Sequence, residues 1–576
     1  MNASRIAERG MSYALRAEPA FAISFDLLAT APQGVAKLRE LILSLAVRGK
    51  LVEQSRTDAP AIVLMQMVDE EKAKLVAVGE IKRGKPCLPI SEDEVPYELP
   101  AGWQWIRLDQ LLSKIGAGST PLGGREVYVS AGVKFLRSQN VWNDGLALNG
   151  VAYISEAVHK RMSGTKVVAG DILFNITGAS IGRCALVPDD FDEANVSQHV
   201  TIIRTVLGSV RKFLHLVLMS SHVQQTVMDV QVGVSREGLS IGKLRQFVIP
   251  LPPLAEQARI VARVEELMQL CDTLEAHGRL QDEQHARLVA TLFDALAASE
   301  SAEALAGNWQ RIATHFDLLL DRPEAVDALE QTLLQLAVRG LLVAQDPTDE
   351  PASELLGGMT SADVPEESQP FDLPEGWEWR QLGSLHPEFQ NGASSRGDPN
   401  GIPVTVIRLA DINNGRVALH DPRVLPINAV SVRKYGIDPG DILIIRVNGS
   451  SDLVGKFVRC TQKLDAIYCD HFIRMRLPAS VVAPEFLELV GSAKVVRDKI
   501  SAMFVTTAGQ KTVNQGHIRA LLIPLPPLAE QHRIVARVEQ LRRLCAELRE
   551  RLQQARATQS RLADALVSAA AQSPSC

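Results

Sequence analysis

One passage of this chain is written twice. Ile249 to Glu265, which opens Ile-Pro-Leu-Pro-Pro-Leu-Ala-Glu-Gln, returns as Ile523 to Glu539 with a single change, His532 for Ala258. Other pieces keep the same order: Phe25-Asp-Leu-Leu28 and Phe316-Asp-Leu-Leu319, Leu45-Ala-Val-Arg-Gly49 and Leu336-Ala-Val-Arg-Gly340, Leu99-Pro-Ala-Gly-Trp-Gln-Trp105 and Leu373-Pro-Glu-Gly-Trp-Glu-Trp379, Gly170-Asp-Ile-Leu173 and Gly440-Asp-Ile-Leu443. A repeated framework with divergent segments between its pieces describes one device carrying two similar readers of different objects. A charged stretch around Glu71 to Lys85 lacks a counterpart in the second copy, as do the residues before about Ala20.

The 576 residues accommodate about four domains at roughly 150 residues each. The repeat divides them into an N-terminal extension (1–24), a helical region (25–97), a first body (98–253), a central helical region (254–371), a second body (372–527) and a C-terminal helix (528–576). No apolar run reaches the roughly 18 residues of a membrane span, and the N-terminus has no signal-peptide core, so a soluble cytoplasmic protein with no membrane partner is expected. The 7 cysteines form no Cys-x-x-Cys pair, which argues against a zinc site or a disulfide framework.

Charge is segregated along the chain. Pro100 to Pro250 holds 15 Lys and Arg against 11 Asp and Glu, Pro374 to Pro524 holds 18 against 14, and the whole chain is −6. Mildly basic bodies on an acidic framework are the arrangement expected if the bodies face phosphate.

The framework is helical. Ile534, Val538, Leu541, Cys545, Leu548, Leu552, Ala555, Gln559, Leu562 and Leu566 fall at alternating steps of four and three, and Ile260, Val264, Leu267, Cys271, Leu274, Gly278, Gln281, His285, Leu288 and Leu292 repeat the register. Heptad seams over helices about 60 to 66 Å long predict an antiparallel coiled-coil spacer. Each shorter helix has a left-handed stop at Gly49 or Gly340, and Asp321-Arg-Pro-Glu324 offers an Asp near the N-cap with Pro in the first turn.

Short β-rich runs bounded by Gly, Asn and Asp, beside a helical stretch from Phe213 to Val230, make each body α+β. The two Trp pairs project from one strand face each; anchoring to the framework is favoured over base stacking, since both copies keep them. The sequence contains no phosphate loop and no convincing G-x-G-x-x-G. Leu251-Pro-Pro-Leu254 and Leu525-Pro-Pro-Leu528 lack the polar and aromatic flanks with which an amino-methyltransferase holds its target base. Pro188-Asp189-Asp190 lacks the lysine of a metal nuclease and reads as a solvated turn. His199 and His471 are read as structural. No catalytic or metal-binding residue is assigned.

Taken together and in duplicate, the Leu-Pro-x-Gly-Trp-x-Trp openings, the Gly-Asp-Ile-Leu strands and the Pro-Leu-Pro-Pro-Leu-Ala-Glu-Gln closings with their Arg-Ile-Val-x-Arg-Val-Glu helices resemble the DNA specificity subunit of type I restriction–modification systems, over about Phe25 to Ala570. The resemblance implies an α+β chain with a pseudo-two-fold internal repeat: two α/β target recognition domains of similar fold, separated by long antiparallel coiled-coil helices. It implies a non-catalytic subunit whose two domains each read half of a bipartite, asymmetric site in double-stranded DNA. Partners would be two methyltransferase subunits and restriction (motor) subunits, with S-adenosylmethionine, ATP and Mg held by them and no cofactor by this chain.

Matched polar loops that differ between the copies are the candidate DNA contacts, because Arg, Asn and Gln fit base edges. They are Ser119 and Thr120 beside Ser394, Ser395 and Arg396; Arg137, Gln139 and Asn140 beside Arg408, Asn413 and Asn414; Asn175, Thr177, Ser180 and Arg183 beside Arg446, Asn448, Ser450 and Ser451; and Arg236 and Lys243 beside Lys511, Asn514 and Gln515. Two other classes stay open: a methyltransferase or endonuclease in its own right, and a coiled-coil adaptor whose bodies bind proteins.

Overall fold

A computed structural model describes every residue except 1–26, 85, 233–237, 356–364, 366, 368, 395–396, 399, 414, 420–421, 508 and 573–576. The chain divides into two units, residues 1–280 with 556–576, and residues 281–555. No helix among the described residues is long and apolar enough to cross a membrane. Six described cysteines are free, five of them buried.

In the first unit the body is closed by its own ends: strand Gln104–Arg107 pairs antiparallel with Val248–Leu251. Within it a four-stranded antiparallel sheet runs in the order Cys184–Leu186, Ile172–Asn175, Val200–Thr205, Leu112–Ala117. A five-stranded mixed sheet contains Val133–Leu136 parallel to Ala194–Val196. The apolar run after Gly170-Asp is buried on both faces, as an all-hydrophobic strand requires. Ile172 and Phe174 face the helices while Leu173 faces the second sheet.

The second unit repeats this scheme. Glu378–Gln381 pairs with Leu522–Leu525, and a four-stranded sheet runs Glu388–Asn391, Phe472–Arg476, Ile442–Ile445, Phe457–Arg459. A mixed sheet sets Ile402–Ile407 parallel to Leu464–Tyr468. Ile442 and Ile444 face one core, Leu443 and Ile445 another. A further three-stranded sheet (Val447–Asn448, Gln510–Thr512, Val505–Thr507) has no equivalent among the described residues of the first body.

The repeated sequence pieces are structural joints. In each copy the Glu of Ala-Glu-Gln is buried. Glu256 accepts from Trp103 Nε1 at 3.0 Å and from Gln54 Nε2 at 2.6 Å; Glu530 accepts from Trp377 Nε1 at 2.9 Å and from Gln345 Nε2 at 2.7 Å. Burial pushes both carboxyls above the usual range, while the indole and amide donors pull them back. Trp103 and Trp377 are therefore anchors tying each body to its long helix, and neither presents a stacking face. Arg259 and Arg533 complete the joints by pairing with Asp58 and Asp349. Gly49 (φ 68°) and Gly340 (φ 72°) end the shorter helices, and a Cβ there would stand 2.5 Å from Pro100 Cγ or Pro374 Cγ. In the Gly-Asp pieces, buried Asp171 receives two bonds from Arg204, at 2.6 and 2.8 Å, and Asp441 two from Arg476, both at 2.7 Å.

The long helices are Leu254–Ala297 and Leu528–Gln572. Residues to Leu280 of the first and from Arg556 of the second belong to the first unit. Ile260, Val264, Leu267 and Cys271 share a core there with Ala563, while in the second unit Val289, Phe293 and Leu296 share one with Cys545.

The expected seam needs correction in both helices. Ala555, Gln559 and Leu562 are exposed, and the inward positions beyond Leu552 are 556, 560, 563, 566, 567 and 570, so that of the expected seam only Leu566 stays inward there. Such a stutter shifts the apolar stripe around the helix. In the first helix Gly278, Gln281 and Leu288 are exposed and the stripe resumes at His285 and Val289. The helix Pro323–Val338 has Pro in its first turn and Arg322 as its N-cap without a side-chain cap; Asp321, next to that cap, pairs with Arg322 at 2.7 Å.

Candidate nucleic-acid interface

In the first body four loops meet at one end of the central sheet, drawn together by hydrogen bonds that the sequence does not reveal. The loop leaving Leu112–Ala117 turns at Gly118, where a Cβ would lie 2.0 Å from Val196 O. Ser119 N–H then donates to Val196 O at 3.1 Å, which leaves Ser119 and Thr120 exposed. Leu122, two residues on, is 97% exposed.

Asn175 is wholly buried and binds the loops to one another: its amide donates to Ser138 O at 2.9 Å and to Ser180 Oγ at 3.2 Å. Asn140, 2% exposed, accepts from Arg137 N–H at 2.9 Å and donates to Ala147 O at 2.8 Å. These two asparagines shape the loops from inside and present no amide to a ligand, which removes them from the candidate contacts. Thr177 Oγ1 is hydrogen-bonded to His199 Nδ1 at 2.6 Å, the structural part expected of that histidine.

Gln139, Thr177, Ser180 and Arg183 thus share one surface with Ser119. Lys243 is exposed on the short helix Ile241–Arg245, whose leading residue Leu239 donates its N–H to Ile176 O at 2.8 Å. Arg236 lies outside the described residues. Among the described residues Arg137, Arg183 and Lys243 have no carboxylate within ion-pair distance, so their charge is available to phosphate.

Sequence reasoning missed Trp142. It stands 41% exposed on the hairpin Val141–Trp142 and Gly145–Leu146, its indole N–H donates to Gln139 O, and the Arg183 guanidinium lies 3.8 Å above its ring. A cation stacked on an exposed aromatic presents a flat, charged surface suited to bases and phosphates. Its nearness to the Arg137-Ser-Gln-Asn run was the available signal.

In the second body Ser394 is exposed after the Ala393–Cys469 bridge; Ser395, Arg396 and Asn414 lie outside the described residues. Arg408 is half-buried and donates its backbone N–H at 2.7 Å, and its Nε at 3.4 Å, to buried Asp411. Asn413 is exposed on a hairpin tip. Asn448 pairs in strand register with Lys511, and its side chain accepts from Ser450 N–H at 2.8 Å. Ser451 gives its carbonyl to Arg497. Arg446 donates its backbone N–H to His471 O. Asn514 caps the helix Gln515–Arg519, and Gln515 donates to Asn391 Oδ1 at 3.0 Å. Arg446, Asn448, Lys511 and Gln515 are therefore linked at one end of this sheet too, with Asn391 as an addition.

The molecule is a tandem recognition module: one sheet-and-loop domain used twice, each copy locked to a long helix by the same buried glutamate. A family model described as the type I restriction modification DNA specificity domain matches residues 100–282 and again residues 374–555. The chain belongs to this family. It is 33% identical to the type I restriction enzyme EcoEI specificity subunit of Escherichia coli over 93% of its own length and 94% of the relative's, and 32% identical to the EcoAI specificity subunit of the same species over the same shares. Among solved structures it is similar to a chain described for complex assembly and conformational transition of the type I R-M system, at 21% identity and a TM-score of 0.49, covering 83% of this chain and 99% of that one. A crystal structure of the HsdS subunit from Thermoanaerobacter tengcongensis gives 22% identity and a TM-score of 0.39, over 83% and 98%.

Proposed function

We propose that the chain is the sequence-specific DNA-binding subunit of a type I restriction–modification complex, and that each body reads one half of a bipartite, asymmetric site. The observation that carries this is the pairing of one scaffold with two different loop surfaces. Buried joints repeat atom for atom, whereas the exposed positions at the sheet ends carry Ser119, Gln139, Trp142 and Arg183 in one copy and Asn413, Asn448 and Lys511 in the other. Two unlike readers on one chain imitate a dimer on half-sites without imposing a palindrome. Phosphate contacts supply most of the affinity, and base-edge contacts the discrimination, at about 1 to 3 kcal/mol per bidentate pair.

The partners in this reading are double-stranded DNA, two methyltransferase subunits and restriction subunits. S-adenosylmethionine, ATP and Mg belong to those subunits. The test is to co-express the chain with its methyltransferase, map modified adenines genome-wide, and then exchange residues 100–250 for the corresponding body of a relative. One half of the recovered motif changes and the other stays. A change in both halves, or in neither, defeats independent reading.

A further inference from the structure

The first unit contains a cavity of about 1160 Å³ that DNA reading leaves unused. Its walls are the later turns of the helix Ala61–Ala77, residues 80–84 with Pro86 and Cys87, the start of the strand Leu112–Ala117 and the end of Val200–Thr205. The first two walls belong to the stretch that has no counterpart in the second copy.

Six basic side chains line it, Lys72, Lys82, Arg83, Lys114, Arg204 and Arg245, against three acidic ones, Asp69, Glu80 and Asp109. Two of the cations are already matched: Arg204 is held by Asp171, and Arg245 donates to Asp109 Oδ1 at 2.7 Å. The other four are not. Lys72 Nζ donates to a backbone carbonyl, Asp109 O, at 2.8 Å, and Lys114 Nζ makes a long contact of 3.4 Å with Lys166 O. Lys82 and Arg83 are exposed, with no carboxylate in ion-pair range among the described residues. Asp69 and Glu80 are the lining carboxylates not bonded to one of these cations, while Asp109, bonded to Arg245, also acts on Lys72. Burial pushes the Lys72 and Lys114 ammonium groups below their ordinary range, and nearby Asp109 and Asp171 offset it only in part.

Position and composition narrow the ligand. Lys114 is the third residue of the strand Leu112–Ala117, and Ser119 lies beyond that strand's far end, so the cavity and the candidate loops are reached from different parts of the strand. The lining includes no aromatic side chain, and so offers no platform for a base. We propose that this cavity binds a small, multiply charged phosphate anion through Lys72, Lys82, Arg83 and Lys114, separately from DNA.

Calorimetric titration of the full chain with inorganic tripolyphosphate at fixed ionic strength tests it. One saturable site per chain is expected. Arg83→Ala with Lys114→Gln weakens it about tenfold, the equivalent of roughly 1.4 kcal/mol. Lys82→Ala alone, an exposed change that leaves the core untouched, weakens it about threefold, and a duplex carrying the recognition site does not displace the anion. No saturable heat, affinity unaltered in the variants, or equal displacement by sulfate at matched ionic strength overturns the proposal. Competition by the duplex also overturns it, by assigning the cavity to the DNA surface.

Discussion

The reading ends of the two bodies differ most where their scaffolds agree best. The hairpin position of Trp142 in the first is that of Asn413 in the second, by register with Gly145 and Arg416. Beside it, the Gly182-Arg183 turn becomes Gly455-Lys456, so a guanidinium stacked on an indole is replaced by an ammonium beside the Gly415 turn. Inside, Asn175 corresponds to Ile445: both end their strand, paired with Val200 and Phe472 respectively, and both are buried. One copy fixes its loops by a buried amide and the other by hydrophobic contact. Likewise Asn140 corresponds to Asp411, so Arg137 stands above a neutral group and Arg408 above a carboxylate. The lesson is that these domains diverge by exchanging polar for apolar support as well as by changing the exposed letters, and that such support decides which cations stay free.

The largest effect is expected at the buried amide. Asn175→Ala leaves Ser138 O without its donor and opens a small cavity, at a cost of about 1 to 3 kcal/mol, seen as a lower melting temperature of the full chain and weaker modification of sites whose first half is suboptimal. Ile445→Ala in the second body costs a similar amount through lost packing but leaves no unpaired carbonyl, so rescue by a similarly shaped apolar residue is expected there and not at Asn175. Next comes the stacked pair. Arg183→Ala lowers affinity for the duplex about tenfold and relaxes only one half of the motif, while Lys456→Ala gives a smaller, sequence-independent loss with a salt slope reduced by about one. Equal effects of the two substitutions on specificity would erase the contrast between the bodies.

The repeat made the framework legible, because its joints are long identical strings: the Trp openings, the Ala-Glu-Gln closings and the Gly stops all fall where the structure uses them. The seam was legible through Leu274 and Leu552 and broke in the middle, at Gly278, Gln281 and Leu288 of one helix and Ala555, Gln559 and Leu562 of the other. Heptad counting assumes one partner along the whole helix, whereas these helices pass from one core to another near residues 280 and 555, and the stripe rotates there. At the reading end, residue type did not separate Asn140 and Asn175 from Gln139 and Asn413. Asparagine serves equally as a loop brace and as a base reader, and only burial tells them apart. Trp142 escaped notice because the Trp pairs of the framework drew the reading of that residue type.

A finer test of the same contrast concerns Asp411. Asp411→Asn keeps an oxygen for the Arg408 backbone N–H but removes the charge facing its guanidinium, which makes this loop resemble Arg137 over Asn140. Non-specific duplex affinity is expected to rise a few-fold and its salt dependence to steepen by about one counter-ion, read by fluorescence anisotropy across a salt series. Unchanged salt dependence would mean that the Asp411 charge does not withhold Arg408 from the duplex, or that Arg408 faces away from DNA.

The smallest expected effect separates the two openings. Arg107, 4% exposed, donates to both oxygens of Glu94 at 2.7 Å and to the carbonyls of Leu88, Pro89 and Gln246. Among the described residues Arg380, its counterpart, reaches Glu378 two residues away, and its Nε has no partner. The Arg107 bonds, followed by those from Ser91, hold the Glu94 carboxyl down at about 2. A depressed carboxylate stabilises the fold above its unfolded pKa, and that contribution is lost as pH falls through the folded value. The pair is partly open to solvent, so its contribution is modest. Glu94→Gln should therefore melt slightly below the parent chain at pH 6, with the gap narrowing as pH falls from about 4.5 toward about 2, whereas Glu378→Gln shows a smaller gap at every pH because, among the described residues, its arginine makes no comparable network. A Glu94→Gln gap that widens on acidification would reverse the sign of the linkage and remove this pair from what sets the first opening apart from the second.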